Sequence, residues 1–381
     1  MYITVLCRVV DNYGDIGVAW RMCRRLKKLN PKNTISLIVD NLLSFNRICD
    51  EVDNEADFQI IMGVDVYKWQ SSDFCHEQFV RNDGEKLSLI LELFQCGRPD
   101  WMERILFEEK LQRTVQIIMI DYLTAEKYAE DFHCLKSLTR SAKVQKVNFM
   151  PGFTERTGGL IIDDEWERLP DYNEKGPVLV FTYTMGKGLL ENTGSKDQLL
   201  KPIPYMNQTD WDKMMKQCSA LIIRGEESMS RACLSGIPFI WQAYPQTEEY
   251  QMVKVRALLE RMRPHFAAED FEIVEKAWMN INNTMSLSGL TRQSHHERDS
   301  RVKPENDSNA KPDNDSNAMP ENDHSTMSGS LSLSKGPYEQ FFSNLKSLRP
   351  GFVSFAQSLR KNGDLCANLM TFINKIDIID R

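Results

Sequence analysis

The fold is decided by the stretch Arg8-Val9-Val10-Asp11-Asn12-Tyr13-Gly14-Asp15-Ile16-Gly17-Val18-Ala19-Trp20-Arg21, which follows an apolar run from Tyr2 to Leu6. An apolar run, a glycine-bearing turn and a helical pattern through Leu29 are typical of the start of a nucleotide-binding α/β domain. In this turn, however, Asp11 and Asp15 stand where a phosphate-binding loop would present bare amides to an anion. We therefore expect the turn to bind a cation or to accept a proton.

The composition is that of a globular protein with more than one domain. The chain has 381 residues, of which 41% are hydrophobic and 27% charged, enough for two buried cores. A net charge of −7 argues against a nucleic-acid-binding surface. Nine cysteines lie far apart without a CxxC pair, which favours buried free thiols over a disulfide or zinc framework. No apolar run approaches the ~20 residues that span a bilayer, so we expect no membrane association and a cytoplasmic protein.

The first half of the chain alternates strand-like and helical patterns, which favours a parallel sheet covered by helices on both faces. The turn-rich segment from Pro151 to Pro177 is predicted to be a linker. We place a Rossmann-like N-terminal domain at residues 1–155. Its predicted strands are Tyr2 to Leu6, Thr34 to Val39, Phe58 to Met62, Leu87 to Leu93 and Gln116 to Asp121.

A second α/β pattern fills residues 156–381, which we interpret as a C-terminal Rossmann-like domain. A helix is expected to follow the segment Arg224 to Ser228 and to end at Ser235, before Gly236, and another is predicted over Trp211 to Cys218. The predicted strands are Val178 to Tyr183, Leu199 to Pro204, Ala220 to Ile223 and Ile237 to Trp241.

Residues from about 285 to 335 interrupt this pattern. The octad Lys303 to Ala310 recurs at Lys311 to Ala318, and the segment is polar and rich in Asn, Asp and Ser. Such a composition favours an expanded insertion, with a binding tail as the alternative. Terminal helices are predicted over Tyr338 to Leu345 and Phe352 to Ile378, and packing back onto the N-terminal domain is one arrangement we consider for them.

The segment Arg224-Gly225-Glu226-Glu227-Ser228 lies where a predicted strand gives way to a helix. Ser228 is a residue type that caps helices, and the free amides of a first helical turn can bind a diphosphate. Glu226 is expected to face across a cleft between the domains while Ser228 and the backbone hold phosphate. The alternative is structural, because acids in a first turn stabilise the helix dipole and Arg224 could simply pair with one of them.

Further candidates for nucleotide binding are aromatic and amide side chains. Phe181 and Tyr183 alternate on one predicted strand, so both face the same side. They are suited to stacking on a nucleobase, although alternating aromatics are more often core residues. Gln208 has an amide suited to reading a base edge. The six histidines show no ligand spacing, so no metal site is expected.

Together these features predict two Rossmann-like domains with parallel sheets that face each other across a cleft, the GT-B layout of glycosyltransferases. The C-terminal domain would hold a nucleotide-diphosphate donor, and the N-terminal domain would present carboxylates to an acceptor.

From residue 1 to about 265 the chain resembles the EarP family of bacterial protein-arginine rhamnosyltransferases. The resemblance implies inverting transfer of rhamnose from dTDP-β-L-rhamnose to an arginine of translation elongation factor P, without cofactor or metal. That transfer would activate the factor for rescue of ribosomes stalled at polyproline. The matching segments are Cys7 to Gly17, Pro151 to Thr154, Thr157 to Gly159, Phe181 to Tyr183, Arg224 to Ser228, Gly236 to Phe239 and Tyr244 to Gln246.

The resemblance also implies roles for individual residues. Asp15 is implied as the base or as the group that orients the guanidinium. Glu227 stands where the family usually has aspartate. The positions that match essential carboxylates of the family are Asp11, Asp15 and Glu226. Those that match its donor-binding residues are Phe181, Tyr183, Gln208, Arg224, Gly225, Glu227 and Ser228. The neighbouring candidates for donor or acceptor contacts are Asn12, Tyr13, Gly14 and Gly17.

An arginine acceptor agrees with the acidic first turn. A guanidinium is a poor nucleophile because its pKa exceeds ~12, and carboxylates in a cleft supply both a cation site and a proton acceptor. Two alternatives stay open: another GT-B enzyme that acts on a glycan, and a non-catalytic module whose acidic cleft binds a basic loop of a partner protein.

Overall fold

The computed structural model describes residues 1–10, 13–109, 111, 113–183, 200–202, 206–296 and 336–379. The candidate site residues Asp11 and Asn12 lie outside the described residues, and so does the predicted insertion beyond His296.

The first half of the chain forms an eight-stranded sheet in the order β3-β4-β2-β1-β5-β6-β8-β7. All neighbouring strands are parallel except the edge pairs β3 with β4 and β7 with β8. The strands are β1 (Tyr2–Cys7), β2 (Thr34–Val39), β3 (Phe58–Ile61), β4 (Val64–Lys68), β5 (Leu89–Leu93), β6 (Val115–Ile120), β7 (Lys136–Ser137) and β8 (Val144–Asn148). The helices are α1 (Gly14–Leu29), α2 (Leu42–Ile48), α3 (Ser72–Gly84), α4 (Asp100–Phe107) and α5 (Tyr128–Phe132).

The second half forms a four-stranded parallel sheet in the order β10-β9-β11-β12. Its strands are β9 (Val178–Val180), β10 (Leu200–Pro202), β11 (Ala220–Arg224) and β12 (Phe239–Gln242). Its helices are α6 (Gln208–Lys216), α7 (Glu226–Ser235), α8 (Tyr250–Met262), α9 (Ala268–His296), α10 (Gly336–Ser343), α11 (Leu345–Lys361) and α12 (Leu365–Ile379). The predicted α/β class with two largely parallel sheets is confirmed.

Several predicted boundaries need correction. The strand predicted to reach Tyr183 ends at Val180, because the Tyr183 amide donates to the Gln242 side chain rather than to a neighbouring strand. Ser228 is not the helix cap. Helix α7 begins at Glu226, and Gly225 occupies the cap position with φ 72°, in the region that favours glycine.

The terminal helices also differ from the prediction. Three helices form instead of two, because Gly363 adopts φ 84° between α11 and α12. Helix α9 extends to His296, into the segment predicted as expanded chain. Its first half packs Phe271 and Trp278 into the core, and lengthening an existing helix is far cheaper than nucleating one.

Helix α12 returns to the first sheet, where Leu365 and Leu369 share a core cluster with β1 and α1. Helix α11 packs with α7 on the second sheet. All nine cysteines are free thiols; most are buried, as predicted, and Cys134 is exposed. In the described part of the chain no helix has both the length and the apolar character needed to cross a membrane.

Candidate active site

A cavity of about 350 Å³ lies between the two sheets. It is bordered by residues that follow β1, β5 and β6 of the first sheet and β9, β11 and β12 of the second. In open α/β sheets, ligands bind beyond the carboxyl ends of the strands, so this cavity is the candidate active site.

The first sheet contributes the turn between β1 and α1. Asp15 is the second residue of α1, and its side chain is only 2% exposed. Its Oδ2 accepts a hydrogen bond from the Val10 amide at 2.8 Å. Gly14 and Asp15 both border the cavity, whereas Tyr13 packs against the core behind them. A carboxylate in a first turn is also stabilised by the helix dipole.

The second sheet contributes the turn between β11 and α7, where two adjacent glutamates have different partners. Glu226 borders the cavity, with Oε1 3.3 Å from Lys254 Nζ. Glu227 also borders the cavity, but its Oε1 lies 2.5 Å from Arg21 Nε of helix α1. Ser228 is buried one residue further along α7.

Arg224 lies between two of the predicted aromatic residues. Its Cζ is 4.4 Å from the Phe181 ring centre and 4.7 Å from that of Tyr183. Both rings therefore contact the same guanidinium, although the strand predicted to carry them ends at Val180. Tyr183 borders the cavity and contacts Tyr244 edge to face at 5.2 Å. This cluster brings aromatic surface and positive charge to one end of the cavity.

Gln208 lies at the contact between the two halves. Its Nε2 donates to the Gly17 carbonyl at 2.9 Å and to Glu227 Oε1 at 3.3 Å, and its Oε1 accepts from Arg24. A Cβ on Gly17 would lie 3.7 Å from both Gln208 and Glu227. That is an ordinary van der Waals distance, so a Cβ would fit at this position. The Gln208 side chain links helices α1, α6 and α7 through its hydrogen bonds.

A buried ion cluster centred on Arg21 was not predicted from the sequence. Its guanidinium is 1% exposed, binds Asp212 through two hydrogen bonds of 2.8 and 3.0 Å, and also contacts Asp163 and Glu227. Burial alone would lower the pKa of Arg21, but the three carboxylates raise it well above its usual value. These partners are 142 to 206 residues away, so no local pattern could reveal them.

The residues that follow β5 and β6 were also not predicted as part of the site. On the side of the first sheet, the cavity is also bordered by Phe94, Asp121 and Tyr122. Asp121 was placed inside a predicted strand, but β6 ends at Ile120. An aspartate directly after a buried apolar run is the signal that could have identified it.

The described residues of the candidate site fall into three groups. Those that border the cavity are Gly14, Asp15, Tyr183, Gly225, Glu226 and Glu227. Phe181 and Arg224 adjoin it through Tyr183, and Tyr13, Gly17, Gln208 and Ser228 lie behind it. Among the residues that the structure describes, no three His, Cys, Asp or Glu side chains are grouped so as to hold a metal ion.

Comparison with known proteins gives the family. The family described as "Elongation-Factor P (EF-P) rhamnosyltransferase EarP" matches residues 3–189 and 179–374. The chain belongs to the EarP family. A protein-arginine rhamnosyltransferase of Pseudomonas aeruginosa is 27% identical over 345 residues, which cover 75% of this chain and 88% of that protein. One from Shewanella oneidensis is 26% identical over 349 residues, covering 74% and 85%.

A solved structure from work on the "structural basis for EarP-mediated arginine glycosylation of translation elongation factor EF-P" aligns with 98% of this chain and 99% of its own. The TM-score is 0.39 and the sequence identity 13%.

Proposed function

We propose that this EarP-family protein transfers rhamnose from dTDP-β-L-rhamnose to an arginine side chain of elongation factor P, with inversion at the sugar carbon. Family membership supports the sugar and the acceptor protein. The observation that carries the proposal is the cavity, which Asp15 borders from one sheet and Glu226 from the other. Because the acceptor is a translation factor, we expect the reaction to take place in the cytoplasm.

The second sheet is the proposed donor side. The Arg224 guanidinium and the backbone amides at the N-terminus of α7 suit the negative charge of a diphosphate. Tyr183 and Tyr244 offer aromatic surface near Arg224, where the thymine ring would lie. These groups would also stabilise the charge on the leaving dTDP.

The first sheet is the proposed acceptor side. A guanidino nitrogen forms a bond to C1 of rhamnose, and the bond between C1 and the diphosphate oxygen breaks, so the electron pair leaves on dTDP. The attacking nitrogen passes one proton to a carboxylate, for which Asp15 is our candidate. Attack from the face opposite dTDP gives inversion. Asp11 is the second candidate carboxylate of this turn, as the family resemblance implies.

Intact-mass analysis of the acceptor tests the proposal. We expect elongation factor P to gain the mass of one deoxyhexosyl group when incubated with the full chain and dTDP-rhamnose. UDP-N-acetylglucosamine and dTDP-glucose serve as control donors and should give no comparable product. An unmodified acceptor with dTDP-rhamnose would contradict the proposal, and modification from another donor would redirect it to a different sugar.

A further inference from the structure

The wall formed by Phe94, Tyr122 and Asp121 has no role in the function proposed above. The Phe94 and Tyr122 rings stack with centres 4.5 Å apart and planes inclined by 19°. All three residues border the cavity. They follow β5 and β6, which are adjacent parallel strands, so the two strands bring them to the same edge of the sheet.

Asp121 is held in one orientation. Its Oδ2 accepts from Gln95 Nε2 at 2.8 Å, and its Oδ1 accepts from the Tyr122 amide at 2.8 Å. A carboxylate offers about four acceptor positions, so each oxygen can accept a further hydrogen bond from a ligand. The side chain is thus oriented in advance without being saturated by these two donors.

The backbone that carries the wall is strained. Phe94 and Gln95 adopt φ values of 55° and 54°, in the left-handed region that residues with a Cβ rarely occupy. The Phe94 amide is fixed by a hydrogen bond of 2.8 Å to the Ile120 carbonyl. Strain of this kind persists where surrounding contacts enforce it, and it concentrates at functional sites. Here it places the Phe94 ring on Tyr122 and the Gln95 amide on Asp121.

The wall also stands beside the crevice where ligands are expected. Strand β1 pairs with β2 on one side and with β5 on the other. The sheet therefore grows in opposite directions from β1 and from β5. The crevice between these two strands is a topological switch point. Asp15 lies beyond β1 and Phe94 beyond β5, at the two sides of this crevice.

We propose that Phe94, Tyr122 and Asp121 bind the acceptor guanidinium and select it over an ammonium group. This inference rests on the proposed function. A planar guanidinium stacks on aromatic rings and forms paired hydrogen bonds with a carboxylate, whereas an ammonium is compact and more strongly hydrated. Asp121 is a positioning residue in this scheme, and Asp15 is the candidate for the proton.

Steady-state kinetics of Asp121→Asn and Tyr122→Leu test the wall. We expect the acceptor KM to rise about 10-fold for Asp121→Asn, as for loss of a hydrogen bond to a charged group. For Tyr122→Leu we expect the acceptor KM to rise about fivefold, as for loss of a cation–π contact. The donor KM should stay within about twofold of wild type by the same reasoning, since both residues follow β6 of the first sheet, the proposed acceptor side. Asp131→Asn removes the same charge from an exposed position on α5 and should leave both KM values unchanged.

Selectivity is the second measurement, because a merely structural role would not alter it. Wild type should bind elongation factor P with its acceptor arginine at least about 10-fold more tightly than the form with lysine at that position. In Tyr122→Leu that ratio should fall toward one. Binding, measured by calorimetry, also tests the wall if wild type transfers no sugar, an outcome that contradicts only the proposed function.

Two results would overturn the inference. One is an acceptor KM and an arginine-to-lysine ratio that stay at wild-type values in both variants. The other is a rise confined to the donor KM, which would assign the aromatic pair to the nucleobase. If Asp121→Asn does not fold by circular dichroism, Tyr122→Leu and Phe94→Leu decide the question.

Discussion

The β1–α1 turn and the β11–α7 turn occupy equivalent places in the two sheets. Each follows a buried parallel strand, starts a helix and brings a carboxylate to the shared cavity. They differ in what holds that carboxylate. The Val10 amide donates to Asp15, whereas Lys254 pairs with Glu226 and Arg21 with Glu227.

This difference supports the proposal that the two ligands bind at opposite sides of the cavity. The second turn has Arg224 and Lys254 beside its acids, so a negatively charged diphosphate can approach it. At the first turn Asp15 brings negative charge to the cavity, and Asp121 does so on the neighbouring wall. In the proposed reaction, a similar strand–turn–helix arrangement would therefore hold an anion in one sheet and a cation in the other.

Replacing the first-turn acid should have the largest effect. For Asp15→Asn we expect kcat for transfer to elongation factor P to fall about 10⁴-fold, because the proton acceptor is lost. Asp73→Asn is a matched control, since Asp73 is also the second residue of a helix, α3, but is exposed. Near-normal turnover by Asp15→Asn would remove the first turn from the chemistry.

The cation that holds the second turn should matter for stability. We expect Arg21→Met to lower the free energy of unfolding by about 4 kcal/mol, because three carboxylates lose a buried partner. Urea denaturation measures the change, and Arg21→Lys should recover part of it. The control Arg81→Met removes an exposed pair with Glu77 and should cost less than about 1 kcal/mol. Equal losses in the two Met variants would contradict a structural role for the Arg21 cluster.

The adjacent glutamates of the second turn should separate activity from stability. We expect Glu226→Gln to lower kcat about 100-fold with unfolding free energy within about 0.5 kcal/mol of wild type. Glu227→Gln should instead lower stability, since it weakens the contact with Arg21. Kinetics and urea denaturation of both variants give the comparison. If the two variants show the same pattern, the different partners of the two side chains have no functional meaning.

The Arg21 cluster should also affect stability in acid. Burial raises the pKa of Asp163, but Arg21 and Arg231 lower it more, so the pKa lies below its usual value of 3.8. A lowered carboxyl pKa contributes stability above its unfolded value, and that stability is lost as the pH falls toward the folded value. Between about pH 5 and about pH 3, Asp163→Asn should therefore lose less stability than wild type. A steeper loss in the variant would reverse the sign of this effect.

Elements whose signal is local could be predicted from the sequence. Strand β2 was placed at Thr34–Val39 without error, because a buried parallel strand is a short apolar run between polar breakers. The end of α7 at Ser235 was also correct, since Gly236 adopts φ 67° there. Strand β4 was missed. It pairs with β3 through Met62 and Gly63, both at positive φ, and its Val-Asp-Val-Tyr-Lys sequence is a weak strand signal.

The site could be predicted only in part, because several of its contacts join residues that are far apart in the sequence. Asp15 and Glu226 stand in turns with recognisable spacing, and the structure brings both to one cavity. In the sequence, Arg21 resembles an ordinary exposed helix residue. In the structure its guanidinium contacts three carboxylates from distant parts of the chain, those of Asp163, Asp212 and Glu227. Gln208 was predicted to contact a nucleobase. Its hydrogen bond to the Gly17 carbonyl could not be predicted, because that contact depends on how the two halves of the chain pack.

Peptide mapping of elongation factor P by mass spectrometry tests most directly whether the cavity joins an acceptor turn to a donor turn. After incubation with dTDP-rhamnose and wild-type protein, we predict a deoxyhexosyl group on one arginine, and none after incubation with Asp15→Asn. Sugar on a different type of side chain, no sugar with wild type, or equal modification by both proteins would contradict the account.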